Sequence, residues 1–182
     1  MGRIVAISNQ KGGVGKTTTA INLAASLAAS ENKTLLIDLD PQGNAGSGLG
    51  IDKASIHGSI YDCLIDGRPM GEVVHQTELR FLDVVPSTAD LTGAEVELVN
   101  VEARERRLVE ALSELAGAYD SVIIDCPPSL GLLTLNALTA ADAVLIPLQC
   151  EYYAMEGLAQ LLSTVELVQQ SLNPNLQVEG IV

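Results

Sequence analysis

The sequence is poor in aromatic side chains, which make up 3% of its 182 residues, with no Trp and one Phe. A core without aromatic bulk has to be built from Val, Ile, Leu and Ala, as expected of a parallel sheet covered by helices. Hydrophobic residues make up 47% of the chain and charged residues 18%. This composition is typical of a packed globular protein that is long enough to bury a substantial core.

Positive charge is also scarce. Ten Lys and Arg against 23 Asp and Glu give a formal net charge of −13. Because nucleic-acid phosphates are bound by basic surfaces, we expect this stretch of chain to bind DNA poorly by itself. The one basic cluster, Arg104, Arg106 and Arg107, is interpreted as a solvated helix face with local ion pairs.

Cysteine is rare, and long apolar runs are lacking. Cys63, Cys126 and Cys150 are odd in number and widely spaced, which predicts reduced, mostly buried thiols in a reducing compartment. The most apolar stretch, residues 130–148, contains several polar residues and predicts a buried helix and strand rather than a membrane span. With no secretory signal before the first strand, we expect a cytoplasmic protein without membrane attachment.

Short β-branched runs alternate with longer helical periods, which is the pattern of βαβ units. Two of the runs, 35–37 and 122–124, are continuously apolar, as in strands covered on both faces. The sequence therefore predicts an α/β fold with a mostly parallel sheet and helices on both faces. The predicted strands are 3–8, 33–38, 80–85, 119–125, 143–148 and 177–182, and the predicted helices are 16–29, 59–66, 92–99, 103–116, 130–140 and 154–170.

No repeat, low-complexity segment or linker divides the chain, so residues 1–182 are predicted to form one domain. Residues 176–182 have the pattern of a strand at which the chain stops. We therefore expect this domain to lack C-terminal strands and helices.

The central motif, residues 10–18, begins after the first predicted strand and runs into the first predicted helix. Glycines in this motif allow a tight turn whose backbone N–H groups approach phosphate oxygens, and the helix adds its positive N-terminal end. Lys16 would bring a full charge to the β- and γ-phosphates, and the Thr17 hydroxyl would ligate Mg²⁺. The motif is therefore predicted to be the phosphate-binding loop of a P-loop NTPase. The residues predicted to bind the nucleotide here are Lys11, Gly12, Gly13, Val14, Gly15, Lys16, Thr17 and Thr18.

The motif departs from the common pattern G-x-x-x-x-G-K-[ST], which requires glycine where this chain has Gln10. Instead, Lys11 stands directly before Gly12, five residues ahead of Lys16. A second lysine at this place could neutralise phosphate charge across a dimer, in the manner of an arginine finger.

Acidic residues follow two of the predicted strands. Asp38 and Asp40 come after the run 35–37, and Asp125 comes after the run 122–124. Ligands of open α/β sheets bind at the carboxyl ends of the strands, so Asp125 is expected to hold Mg²⁺ directly or through a water. Either Asp38 or Asp40 could orient an attacking water while the other organises the loop or the metal. An isolated Asp at a strand end more often caps the next helix.

These segments together resemble the ParA/Soj partition ATPases, within the class with a deviant Walker A motif that also includes MinD. The resemblance covers nearly the whole chain. It is carried by residues 9–18, 36–44, 124–129 and 151–157.

The resemblance implies an ATPase that uses ATP and Mg²⁺ and forms a sandwich dimer when ATP is bound. Lys11 and Lys16 would be catalytic lysines, with Lys11 reaching the partner's phosphates and Gly12 at the tight dimer contact. Asp40 would position the hydrolytic water, and Asp125 would serve the magnesium shell. It further implies nonspecific DNA binding on the nucleoid and weak hydrolysis stimulated by a ParB-type centromere-binding protein. Such a cycle would segregate chromosomes or plasmids.

Two other functions stay open. A MinD-like division-site ATPase would bind membrane through a C-terminal amphipathic helix, although residues 38–44 favour partition. A nonhydrolytic regulatory protein would bind nucleotide without releasing phosphate. Glu151 either lies near a dimer-facing nucleotide or is a helix N-terminal acid. At least one of the adjacent Tyr152 and Tyr153 is expected to pack.

Overall fold

The computed structural model describes residues 2–115, 117–151 and 154–182, and these form a seven-stranded sheet. The strands are β1 (Arg3–Ile7), β2 (Thr34–Asp38), β3 (His75–Gln76), β4 (Leu82–Val85), β5 (Ser121–Asp125), β6 (Ala143–Ile146) and β7 (Gln177–Ile181). They lie in the order β3-β4-β2-β5-β1-β6-β7. Every neighbouring pair is parallel except β3 with β4. All the strands predicted from the βαβ pattern thus pair in parallel with one another, and the antiparallel pair involves β3, which was not predicted.

Seven α-helices connect the strands in the described ranges. They are α1 (Lys16–Ala29), α2 (Asn44–Gly48), α3 (Ile60–Ile65), α4 (Leu91–Glu97), α5 (Arg107–Ser113), α6 (Leu132–Ala140) and α7 (Ala154–Ser171). Short 3-10 turns occur at Lys53–Ser55, Met70–Glu72, Leu98–Asn100 and Arg104–Arg106.

Alternate residues of the central strands face two separate cores, because side chains of a strand point to opposite faces. In β1, Ile4 and Ala6 pack into the larger core together with residues of α3 to α7. Val5 and Ile7 pack into the smaller core with the alanines of α1. Both faces of the sheet are therefore covered by helices, which explains why the central strands are apolar throughout.

Helix α1 packs closely on the sheet because its buried stripe is made of small residues. Ala20, Ala24 and Ala28 recur every four positions and are at most 2% exposed. This spacing keeps them on one helix face. The close packing fixes the start of α1, and with it Lys16, next to the carboxyl end of β1.

The predicted fold class is confirmed. The predicted helix 16–29 matches α1 at both ends, and every other predicted strand and helix is present with a shift at one or both ends. The predicted strand 80–85 begins only at Leu82, because Phe81 has a left-handed φ of 69° that a strand cannot include. The predicted helix 103–116 starts as the 3-10 turn Arg104–Arg106, and α5 begins at Arg107. Residue 116 lies outside the described residues. Strand β3 and helix α2 were not predicted.

The arginine cluster makes local contacts, as predicted. Arg107 Nη1 lies 3.3 Å from Glu110 Oε2, and Arg104 Nε lies 3.1 Å from Glu105 Oε1. Arg107 Nε also donates to the carbonyl of Leu64 at 2.8 Å, so this side chain braces α5 against α3. The guanidinium groups of Arg104 and Arg107 therefore bond to neighbouring residues of the same chain.

The apolar stretch 130–148 contains α6 and β6, the buried helix and strand predicted there, and the cysteines are mostly buried, as predicted. Cys63 and Cys126 are buried, Cys150 is exposed, and all three are free thiols. Among the described residues, no helix combines the length and the apolar character that crossing a membrane requires.

A buried amide joins α6 to the beginning of α5. Asn136 is fully buried, and its Oδ1 accepts from the N–H of Leu108 at 3.1 Å. Its Nδ2 donates to the carbonyls of Arg104 and Leu132, both at 2.9 Å. Because Leu108 lies in the first turn of α5, its N–H has no partner within the helix. Asn136 therefore caps a neighbouring helix from inside the core.

We expect Asn136→Ala to lower the free energy of unfolding by about 2–4 kcal/mol, because it leaves buried backbone groups without partners and opens a small cavity. Urea unfolding followed by circular dichroism measures this loss. Asn22→Ala is the matched control, since the exposed Asn22 bonds to Thr18 within its own helix. Equal losses in the two variants would contradict the capping role.

Candidate functional site

The loop between β1 and α1, residues 8–15, lies at the carboxyl edge of the sheet and is called the phosphate loop below. Gly13 and Gly15 have φ values of 76° and 91°, in the left-handed region that other residues rarely adopt. A Cβ at either position would meet nothing within 4 Å, so the backbone conformation rather than space requires glycine. Helix α1 begins immediately after Gly15, and its first N–H groups lack intrahelical partners.

An open cleft of about 340 Å³ lies over the phosphate loop. Its walls come from the loop and the first turn of α1, from the segment after β2, and from the segment after β5. Most of the predicted site residues meet there, as expected for ligands at the carboxyl ends of parallel strands. The lining residues are Gly12, Gly13, Gly15, Lys16, Thr17, Thr18, Asp40, Gln42, Asn44 and Pro128.

Three predicted site residues do not line the cleft. Val14 is buried beneath the loop, so a ligand would meet its backbone rather than its side chain. Asp125 is buried at the end of β5. Lys11 lies at the edge, where its ammonium forms an ion pair with Glu151 of the same chain.

Lys16 is largely buried at the start of α1. Its Nζ donates to the carbonyl of Lys11 at 3.0 Å. Burial lowers the pKa of Lys16, while the nearby Asp125, Cys126 and Asp40 act to raise it. A partly desolvated ammonium held by a carbonyl oxygen is well suited to exchange that oxygen for a charged phosphate oxygen.

Asp38 and Asp125 lie opposite each other in the register of β2 and β5. The carboxylate of Asp38 accepts backbone N–H bonds from Asp40 at 3.0 Å, Ala45 at 2.9 Å and Gly46 at 3.2 Å. Burial raises the pKa of Asp38 to about 6, and these three N–H bonds act to lower it. Asp38 therefore organises the turn from β2 into α2, which is one of the two roles that the sequence left open.

Asp125 has the same burial but a different environment. Neither of its carboxylate oxygens has a hydrogen-bond partner among the described residues. Burial raises its pKa to about 7. Thr17 lies close enough to lower the pKa of Asp125, although no hydrogen bond of ordinary geometry joins the two side chains. A buried carboxylate without partners is costly and calls for a ligand that compensates it.

The donor set fits a magnesium ion. Carboxylate and hydroxyl oxygens are ligands that Mg²⁺ accepts, and Asp125 and Thr17 supply one of each. No group of three or more His, Cys, Asp or Glu side chains in the described part of the chain is arranged to hold a metal. Phosphate oxygens would therefore have to complete the coordination, as is usual for Mg²⁺.

Asp40 is the carboxylate that faces the cleft. It is partly exposed, and its Oδ1 accepts from the N–H of Gln42 at 2.9 Å. Because Asp38 is committed to backbone groups, Asp40 is the better placed of the two to orient a water molecule in the cleft. Pro128 also lines the cleft, from the segment that follows Asp125.

The segment after β6, residues 147–151, contacts the phosphate loop at three points and is called the strap below. Asn9 and Gln149 were not predicted from the sequence to be site residues, and the role of Glu151 was left open. Tyr152 and Tyr153, one of which was expected to pack, lie outside the described residues. The three contacts are Asn9 Nδ2 to the Pro147 carbonyl at 2.7 Å, Gln149 Nε2 to the Gly13 carbonyl at 3.1 Å, and the ion pair of Lys11 with Glu151.

Comparison with known proteins identifies the family. The family model described as an AAA domain matches residues 2–178. The chain is 70% identical over 182 residues to the chromosome partitioning protein ParA of Myxococcus xanthus (strain DK1622). That alignment covers 100% of this chain and 64% of the ParA protein. It is 58% identical over 182 residues to the sporulation initiation inhibitor protein Soj of Bacillus subtilis (strain 168), covering 100% of this chain and 72% of that protein. The chain belongs to the ParA/Soj family of partition ATPases.

A solved structure agrees with this ParA/Soj assignment at the level of the fold. The cobyrinic acid a,c-diamide synthase from Mycobacterium smegmatis, solved with bound ADP and magnesium, matches with a TM-score of 0.96 at 44% identity. The match covers 100% of this chain and 74% of that chain. The P-loop NTPase fold predicted from the sequence is therefore confirmed. Family membership also favours partition over the MinD-like alternative.

The two aspartates after β2 should respond differently to the same substitution. Asp38→Asn is expected to lower the free energy of unfolding by about 2–3 kcal/mol, because an amide has one acceptor oxygen and its NH₂ would face N–H donors. Asp40→Asn should change it by less than about 1 kcal/mol, because Asp40 is partly exposed. Urea unfolding without nucleotide measures both, and an equal loss in Asp40→Asn would contradict the assigned roles.

Proposed function

We propose that residues 1–182 form a single P-loop ATPase domain that binds Mg-ATP, dimerises when ATP is bound and hydrolyses it slowly. The observation that supports this best is the position of Lys16 and Thr17 directly beside the unpartnered carboxylate of Asp125, beneath an open cleft. Membership of the ParA/Soj family supports the same activity. So does the ADP and magnesium bound to the mycobacterial relative.

In this proposal the phosphate loop and α1 bind the phosphates. The backbone N–H groups of the loop and of Thr17 and Thr18 would donate to phosphate oxygens, and Lys16 would leave the Lys11 carbonyl to pair with the β- and γ-phosphates. Thr17 and Asp125 would hold Mg²⁺, which when bound offsets phosphate charge. Binding would thereby compensate the buried carboxylate of Asp125.

Asp40 would orient the attacking water from the open side of the cleft. Asp38 would keep the segment after β2 in place through its three backbone contacts. Asp40 is the one carboxylate among the residues that line the cleft, and with a single carboxylate aligning the water a low rate of hydrolysis is expected. A slow ATPase of this kind suits a switch whose lifetime is set by a partner.

Lys11 would complete the site of a second subunit. Within its own chain Lys11 pairs with Glu151, and both side chains are substantially exposed, at 37% and 54%. An exposed ion pair contributes little stability, so exchanging Glu151 for a partner's phosphate is favourable. Gly12 at the cleft edge leaves room for a second chain, since a Cβ there would meet only the Pro128 Cβ, at 3.9 Å.

The biological role proposed for the whole protein is chromosome or plasmid segregation, on the nucleoid in the cytoplasm. The partners would be nonspecific DNA, bound by the ATP dimer, and a ParB-type protein that stimulates hydrolysis. The net charge of −13 makes this region a poor DNA-binding surface and a good one for a basic segment of a protein partner.

ATP should control the oligomeric state, as measured by light scattering with Mg-ATP. Asp40→Ala is expected to accumulate as a dimer, because nucleotide binds but water is not oriented. Lys16→Ala should stay monomeric because it loses phosphate binding, and Lys11→Ala because it loses the contact across the interface. If none of these proteins changes its oligomeric state with ATP, the sandwich-dimer proposal is wrong.

Phosphate release distinguishes a slow enzyme from a protein that merely binds nucleotide. Wild type should release phosphate at a low but measurable rate, and Asp40→Ala at least about tenfold more slowly. Equal background rates in wild type and Asp40→Ala would favour the nonhydrolytic regulatory alternative.

A further inference from the structure

Two side-chain amides join the strap to the phosphate loop, one donated by the loop and the other by the strap. Asn9 reaches from the loop to the strap, where it donates to the Pro147 carbonyl, and it is itself 2% exposed. Gln149 reaches from the strap back to the loop, where it donates to the Gly13 carbonyl. Neither bond involves a nucleotide, so both are properties of the free chain.

These bonds fix the direction of peptide groups in the loop. A trans peptide points its C=O and its N–H in opposite directions. Because Gln149 holds the Gly13 carbonyl, the N–H of Val14 in the same peptide points away from Gln149. Gly13 lines the cleft and Gln149 does not, which would direct this N–H toward the side on which phosphates would bind.

The loop needs such a restraint because of its glycines. Gly12, Gly13 and Gly15 have no Cβ, and peptide planes beside glycine rotate easily among several conformations. The two peptide groups that flank Lys11 are each held by one hydrogen bond. Asn9 Oδ1 accepts from the Lys11 N–H at 3.0 Å, and the Lys11 carbonyl accepts from Lys16. Gln149 supplies the corresponding restraint at Gly13.

We propose that Gln149 and Asn9 are positioning residues that hold the phosphate loop in its binding geometry before a nucleotide arrives. Gln149 aims the Val14 N–H at the phosphates by holding the Gly13 carbonyl, and Asn9 anchors the loop entrance to the end of β6. The ligand class, a nucleoside di- or triphosphate, rests on the proposed function. The ordering of the phosphate loop in the free protein does not depend on the proposed function.

Gln149 is the position at which to test this, because it is exposed and its replacement should leave folding intact. Gln149→Ala removes the donor. Gln149→Glu presents a carboxylate to the Gly13 carbonyl at neutral pH, whereas its protonated carboxyl can donate to the same oxygen. Gln160→Ala and Gln160→Glu, at an exposed position on α7, are the matched controls. Asn9→Ala is a secondary variant, because burial of Asn9 puts folding at risk.

The first readout needs no nucleotide. In ¹⁵N relaxation-dispersion experiments on the free protein, wild type should show a single ordered phosphate loop, and Gln149→Ala should show microsecond-to-millisecond exchange at residues 12–15. The unfolding midpoint in urea should be the same in Gln149→Ala, Gln160→Ala and wild type. Loop amides that are identical in Gln149→Ala and wild type would overturn the proposal.

The second readout is the affinity for Mg-ADP. Gln149→Ala should weaken binding by about three- to tenfold, the effect of losing one exposed hydrogen bond. Gln149→Glu should be weaker still at pH 8 and should approach or surpass Gln149→Ala as the pH falls toward 5. The loss of affinity in Gln149→Ala relative to wild type should be independent of pH. If Gln149 had a purely structural role, the losses of affinity in Gln149→Ala and in Gln149→Glu would both be independent of pH.

The outcomes separate the two proposals. If wild type binds Mg-ADP and Gln149→Ala matches it in affinity and in loop dynamics, the positioning role is wrong and the proposed function stands. If wild type fails to bind Mg-ADP while Gln149→Ala disorders the loop, the proposed function is wrong and the restraint by the strap stands.

Discussion

The buried, unpartnered carboxylate of Asp125 is the constraint on which the site depends. Strand β5 lies between β1 and β2, in register with both, so its last residue is enclosed at the centre of the sheet. A carboxylate in that position that accepts no hydrogen bond of ordinary geometry from the described residues lowers the stability of the free protein. The fold tolerates it beside Lys16 and Thr17, the two side chains that a Mg-nucleotide would engage. In the proposed function, the stability lost in the free state would become available as affinity for the ligand.

Asp38 shows what the same residue type does at the same depth when the backbone satisfies it. Three N–H groups converge on its carboxylate, and the turn into α2 is built around it. This contact keeps Asp40, two residues later, on the cleft side. Asp38 therefore has a structural role and Asp40 faces the cleft, whereas Asp125 is the carboxylate proposed to serve the metal. Beside them, two side-chain amides join the phosphate loop to the strap, and these are the contacts proposed to hold the loop in place.

The parts of the structure that depend on local sequence could be predicted. The phosphate loop, the apolar central strands and the strand-end aspartates each follow from residues close together in the chain. The strap contacts could not, because Asn9 and Pro147 are 138 residues apart and Gly13 and Gln149 are 136 apart. The role of Asp38 also stayed open, since it depends on residues 45 and 46 folding back onto the strand end. The left-handed Phe81 and the two-residue β3 have no clear local signal.

The most direct test of this account is the free energy of unfolding of wild type and Asp125→Asn at pH 8, each with and without Mg-ADP. Without ligand, Asp125→Asn is expected to be at least as stable as wild type, because the substitution removes a buried charge whose oxygens accept no hydrogen bond of ordinary geometry. The account also predicts that Mg-ADP stabilises wild type strongly and Asp125→Asn much less. If Asp125→Asn is less stable than wild type without ligand and is stabilised equally by Mg-ADP, Asp125 is a structural residue and the account is wrong.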